Sequence, residues 1–209
     1  KRELSVFARL GSGSACRSVI GGFVEWMVGK KSDGSDSYAV QLAPPSHWPS
    51  LVNVLALTDM ERKKIVSSEA MEITKKTSEL HACRVKNRPK MIRLMKKAIT
   101  ERKLEAFLEL TMKESSNLHA VMLDSFPPII YLNETSFAIM DAVHEYNRKK
   151  GNICAGYTFD AGPNAHIFTD EKYAHEIEEM LQDISGVSKT MVCKVGNGPR
   201  RLSAIESLI

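Results

Sequence analysis

The sequence lacks the features that mark membrane-spanning and metal-stapled proteins. It has no run of about 18 apolar residues, so we expect no membrane span. Its opening residues, KRELSVFARL, carry too much charge for a secretory signal. Only four cysteines occur, without a C-x-x-C pair, and the six histidines form no H-E-x-x-H pattern. We therefore expect free thiols in a reducing compartment and no structural metal.

The chain also lacks a strong charge of either sign. It has 29 Lys and Arg against 25 Asp and Glu, a net charge of +4. This is too weak to indicate nucleic-acid binding, although it suits an anionic small molecule. The basic stretch from Arg84 to Arg102 has no interleaved aromatic residues, so we interpret it as a solvated helix face.

Strand and helix patterns are both present, without strict alternation. Apolar runs predict strands at 37–43, 51–58, 153–160, 165–169 and 190–195. Helical spacing predicts helices at 15–27, 67–83, 84–103 and 104–123, and after the caps Asn133 and Asp170. This order predicts an α+β fold with helices on one face of a largely antiparallel sheet. Prolines at 44, 45 and 49 mark the best candidate boundary between domains.

A glycine- and serine-rich loop precedes the first predicted helix. Small residues let backbone N–H groups approach an anion, Ser12 and Ser14 add hydroxyl donors, and Arg17 offers a planar fork for phosphate or carboxylate. The alternative is a flexible loop followed by a surface arginine. Gly21 and Gly22 inside the predicted helix cost about 1 kcal/mol each, which indicates that another backbone packs close by.

Three other positions carry polar groups of interest. Asp160 ends a strand beside a tight turn, where a carboxylate can be partly buried and aimed at a ligand, as a base requires. Alternatively it initiates the turn by bonding its own backbone. Ser67 and Ser68 lie at a helix start, where capping is the favoured interpretation. We interpret His119, which follows Ser115, Ser116 and Asn117, as a core or surface histidine rather than a catalytic one.

Three segments resemble, in order, the diphosphomevalonate decarboxylase family of the GHMP kinase superfamily: GSGSACRSVIGGFVEW, DSFPPIIYLNETS and YTFDAGPNAHIF. The resemblance runs from about Leu4 to Pro199. The family's N-terminal Lys-Tyr-Trp-Gly-Lys motif and its Gly/Ser-rich nucleotide loop do not occur here. The resemblance therefore implies a GHMP-type α+β fold. Residues 1–50 would be the remnant of an N-terminal ribosomal-protein-like domain, and residues 51–209 a ferredoxin-like C-terminal domain.

The resemblance also implies an activity. It is the ATP-dependent decarboxylation of (R)-5-diphosphomevalonate to isopentenyl diphosphate, in the mevalonate pathway of isoprenoid and sterol biosynthesis. ATP and Mg²⁺ would be the cofactors. The enzyme would be a homodimer, without nucleic-acid or membrane partners, in the cytoplasm or a peroxisome-like organelle. The alternatives are an inactive fragment that acts as a dimerisation or binding module, and a sister GHMP small-molecule kinase.

Family roles follow residue by residue. Asp160 would be the catalytic carboxylate that orients or deprotonates the substrate's 3-hydroxyl. Ser12, Gly13, Ser14 and Arg17 would bind the substrate, with Arg17 on its carboxylate. Ser68 would match a substrate-binding serine, although the local sequence is one residue shorter than the family pattern and lacks its glycine.

Overall fold

The computed structural model describes residues 1–58, 65–200 and 202. The chain forms two compact units, one of residues 1–49 with the described residues from Val195 onward, the other of residues 50–194. Their identity as the two family domains, at 1–50 and 51–209, stays a prediction. None of the helices in the described ranges is long and apolar enough to cross a membrane.

The first unit is held together by a buried hydroxyl. Ser5 is fully buried, and its Oγ donates to the Cys16 carbonyl oxygen (2.9 Å) and accepts from the Ala39 N–H (2.9 Å). These three residues belong to three different elements, and the two strands of the unit pair antiparallel. The elements are α1 (Arg2–Gly11), α2 (Ala15–Ser18), β1 (Phe23–Trp26) and β2 (Ala39–Ala43).

The helix predicted over 15–27 is wrong. It ends after one turn, and Phe23–Trp26 is the strand β1. Gly22 has φ +80°, outside the helical region, and a Cβ there would lie 2.2 Å from the Ala43 carbonyl oxygen. A Cβ on Gly21 would lie 2.4 Å from the Gly198 nitrogen. The expectation that these glycines admit a second backbone is therefore confirmed, although in a turn rather than a helix.

The second unit is built on a four-stranded sheet. Its strands lie side by side in the order Ala155–Phe159, Ala165–Asp170, Leu51–Thr58 and Val187–Lys194, and every pairing is antiparallel. The order along the chain is one strand, a group of helices, a pair of strands, a helix and a last strand, which is the ferredoxin-like arrangement. The α+β prediction is therefore confirmed. The elements are β3 (Leu51–Thr58), α3 (Ser67–Thr77), α4 (Leu80–Thr100), α5 (Leu104–Leu123), α6 (Glu134–Lys150), β4 (Ala155–Phe159), β5 (Ala165–Asp170), α7 (Ala174–Gln182) and β6 (Val187–Lys194).

Alternation along the strands supplies the core of this unit. Val52, Val54 and Ala56 lie at every second position of β3 and are buried. They form one cluster with apolar residues of α6 and α7, including Ile139 and Leu181. The apolar run that predicted a buried strand at 51–58 therefore gives its bounds, and the alternation seen in the structure shows which face lies in the core.

Helix ends follow the capping rules in part. Asn133 caps α6 through a capping box with Ser136, and Gly151 ends it with φ 74°, as predicted. The predicted break at 83/84 is wrong, because α3 ends at Thr77 and α4 begins at Leu80. The Asp124 carboxylate, distant in sequence, accepts hydrogen bonds from the Leu80 N–H (3.0 Å) and from the Ser78 hydroxyl (2.7 Å). It thereby stabilises the connection between α3 and α4.

In the described part of the chain β4 is an edge strand, so no strand there pairs with the backbone groups on its free side. A side chain of α6 satisfies them at the start of the strand. Asn147 Oδ1 accepts from the N–H groups of Cys154 (2.9 Å) and Ala155 (3.0 Å), and its Nδ2 donates to the Ala155 carbonyl oxygen (2.8 Å). One amide thus replaces the missing neighbouring strand.

We expect Asn147→Leu to lower the free energy of unfolding by about 2–4 kcal/mol, because three buried backbone groups lose their partner. The measurement is urea denaturation followed by circular dichroism. Asn87→Leu, on the exposed face of α4, is the matched control and should change stability by less than about 0.5 kcal/mol. Equal effects of the two substitutions would contradict the role of Asn147.

Candidate functional site

The predicted catalytic carboxylate lies directly after β4. Asp160 is exposed, so the expectation of partial burial is wrong, because the turn carries the residue beyond the strand end. Among the residues that the structure describes, its carboxylate has no hydrogen-bond or ion-pair partner, its own backbone included. The side chain therefore does not build the turn and is open to a ligand.

The backbone on both sides of Asp160 is held. Before it, the Phe159 N–H donates to Ser115 Oγ (3.0 Å), and the Phe159 carbonyl oxygen lies 3.2 Å from His119 Nε2. After it, the Gly162 N–H donates to the Asp160 carbonyl oxygen (2.9 Å). An exposed side chain therefore stands on a main chain that is held on both sides.

The far end of this turn is tied to the sheet. Asn164 Oδ1 accepts from the backbone N–H of Thr58, the last residue of β3 (3.0 Å), and the Thr58 hydroxyl lies 3.4 Å from the same oxygen. The turn 160–164 is thus anchored by α5 at its start and by β3 at its end.

Two histidines lie in the electrostatic field of Asp160. Burial lowers the pKa of both His119 and His166, and the Asp160 charge raises each pKa by less. His166 Nδ1 lies 2.9 Å from Asn53 Nδ2, so the Asn53 amide is the hydrogen-bond partner of this ring. Burial therefore disfavours the charged form of both rings, and within the described residues neither ring forms an ion pair with the Asp160 carboxylate.

Sequence patterns pointed to some of these groups and missed others. The interpretation of His119 as a core histidine is confirmed, since only 5% of it is exposed. The role of Ser115 was missed, although its spacing of four from His119 on one helix face was visible. Asn53 and His166 were missed as well, because register across the sheet brings them together.

The glycine-serine loop forms a tight connection between two helices. The Ser12 N–H donates to the Ala8 carbonyl oxygen (3.1 Å) at the end of α1, and the Ala15 N–H donates to the Ser12 carbonyl oxygen (2.9 Å). The N–H groups of Gly13 and Ser14 have no partner within the described ranges. The expected long helix at this loop is replaced by the single turn of α2, so the loop amides rather than a helix dipole would attract an anion.

Arg17 presents an unoccupied guanidinium. It is exposed, as are Ser12 and Ser14, and it makes no side-chain hydrogen bond or ion pair to any described residue. Arg9 of the same unit contrasts with it, because its guanidinium donates to the carbonyl oxygens of Ser37 (3.1 Å) and Gly34 (3.0 Å). Arg17 is therefore the arginine of this segment that can bind an anion without giving up a structural contact.

Ser68 lies in the first turn of α3 and is exposed. The capping interpretation of Ser67 and Ser68 is wrong, because Val66 is the N-cap residue and no side chain of the described residues caps the helix. The family role of Ser68 stays a prediction. The structure thus places Ser12, Gly13, Ser14 and Arg17 in one segment of the first unit, and Asp160 and Ser68 in the second.

Two family models match the chain. Residues 53–195 match the model described as mevalonate 5-diphosphate decarboxylase C-terminal domain. Residues 1–39 match the model described as diphosphomevalonate decarboxylase-like N-terminal domain. Together these ranges contain both the loop with Arg17 and the turn with Asp160.

Whole proteins resemble it as well. Diphosphomevalonate decarboxylase of Candida albicans is 43% identical over 224 residues, covering 99% of this chain and 61% of the relative. The structure of mevalonate diphosphate decarboxylase from Trypanosoma brucei has a TM-score of 0.90 at 32% identity, covering 99% of this chain and 65% of that one. A structure described as MDDEF in complex with MVAPP, AMPPCP and magnesium has a TM-score of 0.84 at 28% identity, covering 94% and 59%. The chain thus spans less than two thirds of the length of these relatives.

Gly13 is the residue on which the loop's approach to β1 depends. A Cβ at Gly13 would lie 3.0 Å from Trp26 Cη2. We expect Gly13→Ala to displace the Trp26 ring and shift its fluorescence emission. Gly11→Ala is the control, because a Cβ there meets nothing within 4 Å. Identical spectra for the two variants would contradict the close contact of loop and ring.

Proposed function

The chain belongs to the mevalonate 5-diphosphate decarboxylase family, and from this membership we propose that the protein carrying it decarboxylates (R)-5-diphosphomevalonate at the expense of ATP. The products are isopentenyl diphosphate, ADP, phosphate and CO₂, in isoprenoid and sterol biosynthesis. The observation that carries the proposal is Asp160, an exposed and unpaired carboxylate on an anchored turn within the family match. The curated relative from Candida albicans carries the corresponding name.

Asp160 acts on the substrate's tertiary hydroxyl. Its carboxylate accepts the 3-hydroxyl proton, or orients that hydroxyl, as the oxygen attacks the γ-phosphorus of ATP and ADP leaves. The C3–O bond then breaks and its electron pair departs with phosphate. The C1–C2 bond breaks, its electron pair forms the C2–C3 double bond, and C1 is released as CO₂. Positive charge develops at C3 in between, where a nearby carboxylate stabilises it.

Arg17 holds the carboxylate that is lost. A planar guanidinium matches a carboxylate through two parallel N–H···O bonds, and this one has no competing partner among the described residues. Ser12 and Ser14 supply exposed hydroxyls, and the N–H groups of Gly13 and Ser14 supply further donors toward the anionic substrate. Ser68 would add a hydroxyl from α3. Phosphoryl transfer depends chiefly on this kind of positioning.

ATP and Mg²⁺ complete the proposal. The related structure described with AMPPCP and magnesium supports them. The residues that the structure describes contain no group of three or more His, Cys, Asp or Glu side chains placed to hold a metal ion. Mg²⁺ is usually bound by phosphates, water and one or two carboxylates, so these residues do not form its site by themselves. The homodimer and the compartment stay predictions.

The test is the release of labelled CO₂ from carboxyl-labelled diphosphomevalonate by the full-length protein that contains this chain. We expect release that depends on ATP. ATP consumption with the carboxylate retained would indicate a sister GHMP kinase instead. If neither reaction takes place, the result would indicate a binding or dimerisation module.

Asp160→Asn should keep the fold and the KM for diphosphomevalonate, but lower kcat by about 10²-fold or more, because the carboxamide neither accepts the proton nor stabilises positive charge. Steady-state CO₂ release measures it. Asp183→Asn, an exposed Asp at the end of α7, is the control and should match the parent. A kcat of Asp160→Asn near that of the parent would remove Asp160 from the mechanism.

Arg17→Lys should raise the KM for diphosphomevalonate although the charge is kept, because lysine cannot form the two parallel bonds. We expect about a tenfold increase, in line with loss of one charge-assisted bond. Arg93→Lys, on the exposed face of α4, should leave KM unchanged. An unaltered KM in Arg17→Lys would identify Arg17 as an ordinary surface residue.

A further inference from the structure

We propose that Ser115 and His119 of α5 are positioning residues that together fix the main chain at Asp160. We call this pair the α5 clamp. The inference rests on the proposed function, in which Asp160 touches the substrate. The clamp contacts the backbone of Phe159 and positions Asp160 through it.

Both backbone polar groups of Phe159 form hydrogen bonds with this pair. Phe159 is the last residue of the edge strand β4, and no strand of the described residues lies on its free side. Its N–H donates to Ser115 Oγ (3.0 Å) and its carbonyl oxygen accepts from His119 Nε2 (3.2 Å). Residues four apart on a helix share a face, which is why one helix supplies both partners.

The clamp is built into the interior. Ser115 is 2% exposed and His119 is 5% exposed, and Phe159 between them is buried as well. The imidazole ring also meets the Phe159 ring edge-on, with centroids 6.4 Å apart and an interplanar angle of 78°. His119 thus contacts Phe159 through a hydrogen bond and a ring contact, and Ser115 adds a second hydrogen bond, so the pair supports this residue from inside the core.

Peptide planarity transmits the restraint to Asp160. The Phe159 carbonyl and the Asp160 nitrogen belong to one planar group, so a bond to that carbonyl fixes the plane that enters Asp160. The next peptide plane, which follows Asp160, is fixed by the hydrogen bond from the Gly162 N–H to the Asp160 carbonyl oxygen (2.9 Å). With both planes held, only the carboxylate's own side-chain torsions remain free. A well-placed reacting group requires this, because a displacement of about 1 Å can cost about 10²-fold in rate.

The central test compares His119→Leu with His119→Gln in the full-length protein. Leu removes the donor, whereas the Gln amide N–H can reach the same carbonyl oxygen. We expect His119→Leu to lower kcat by about 10- to 100-fold with little change in KM. His119→Gln should recover most of the loss. Equal impairment of the two variants would overturn the proposal, because the donor would then be irrelevant.

Two controls separate positioning from general damage to β4. Asn147→Leu removes the anchor at the other end of the same strand and should lose stability but keep kcat. His144→Leu removes a second histidine beside β4, whose Nε2 lies 3.3 Å from the Tyr157 hydroxyl. It should keep kcat as well. A kcat in His119→Leu no lower than in Asn147→Leu would overturn the clamp.

A second readout does not depend on the reaction. Hydrogen exchange at the Gly162 amide, which bonds the Asp160 carbonyl oxygen, should be faster in His119→Leu and unchanged in His119→Gln and His144→Leu. If the parent releases no CO₂, the proposed function fails and this exchange decides the clamp alone, with unchanged exchange in His119→Leu overturning it. If His119→Leu does not fold, Ser115→Ala against Ser115→Thr repeats the comparison, and equal kcat and exchange in those two variants would overturn it.

Discussion

The free edge of β4 is the constraint on which the second unit depends. Backbone N–H and C=O groups that lose water must find partners, and a strand at the edge of a sheet has a row of them unpaired. Here helices rather than another strand provide the partners: Asn147 of α6 at the start of β4, and the α5 clamp at its end. Gly156 lets α5 come this close, because a Cβ there would lie 3.0 Å from the Leu108 carbonyl oxygen. The solution to a folding problem thus also fixes the approach to Asp160.

Charged groups divide into those with structural partners and those left open. Arg84 belongs to the first kind: it is 13% exposed, pairs with Glu114 and donates to Asn117 Oδ1 (2.5 Å). The interpretation of the basic stretch as a solvated face is therefore wrong at Arg84, since that face turns toward α5. Asp160 and Arg17 belong to the second kind, because both are exposed and neither has a polar partner for its side chain in the described chain. A solvated charge costs little to leave unpaired, so these two stay available to a ligand.

Local patterns predicted those elements whose cause is local. The strand at 51–58 follows from its apolar run and the cap of α6 from Asn133, and both are found where predicted. The prediction of a helix over 15–27 is wrong because local apolar spacing contains no information on the Ala43 carbonyl oxygen, which lies against Gly22. The α5 clamp lies beyond such patterns for the same reason, since its partner Phe159 is 40 residues from His119 along the chain. Family motifs gave the candidate residues, but not the packing that supports them.

A neutral histidine suits the clamp for an electrostatic reason. A lysine or arginine in reach of the Phe159 carbonyl would also reach the carboxylate beside it and neutralise the charge that the chemistry requires. Burial lowers the pKa of His119, and the positive Arg84 lowers it further, so the ring donates its N–H without carrying charge. The Phe159 hydrogen bond and Asp160 itself oppose that shift, and burial outweighs them. The support therefore holds the backbone at Asp160 while leaving its carboxylate unpaired.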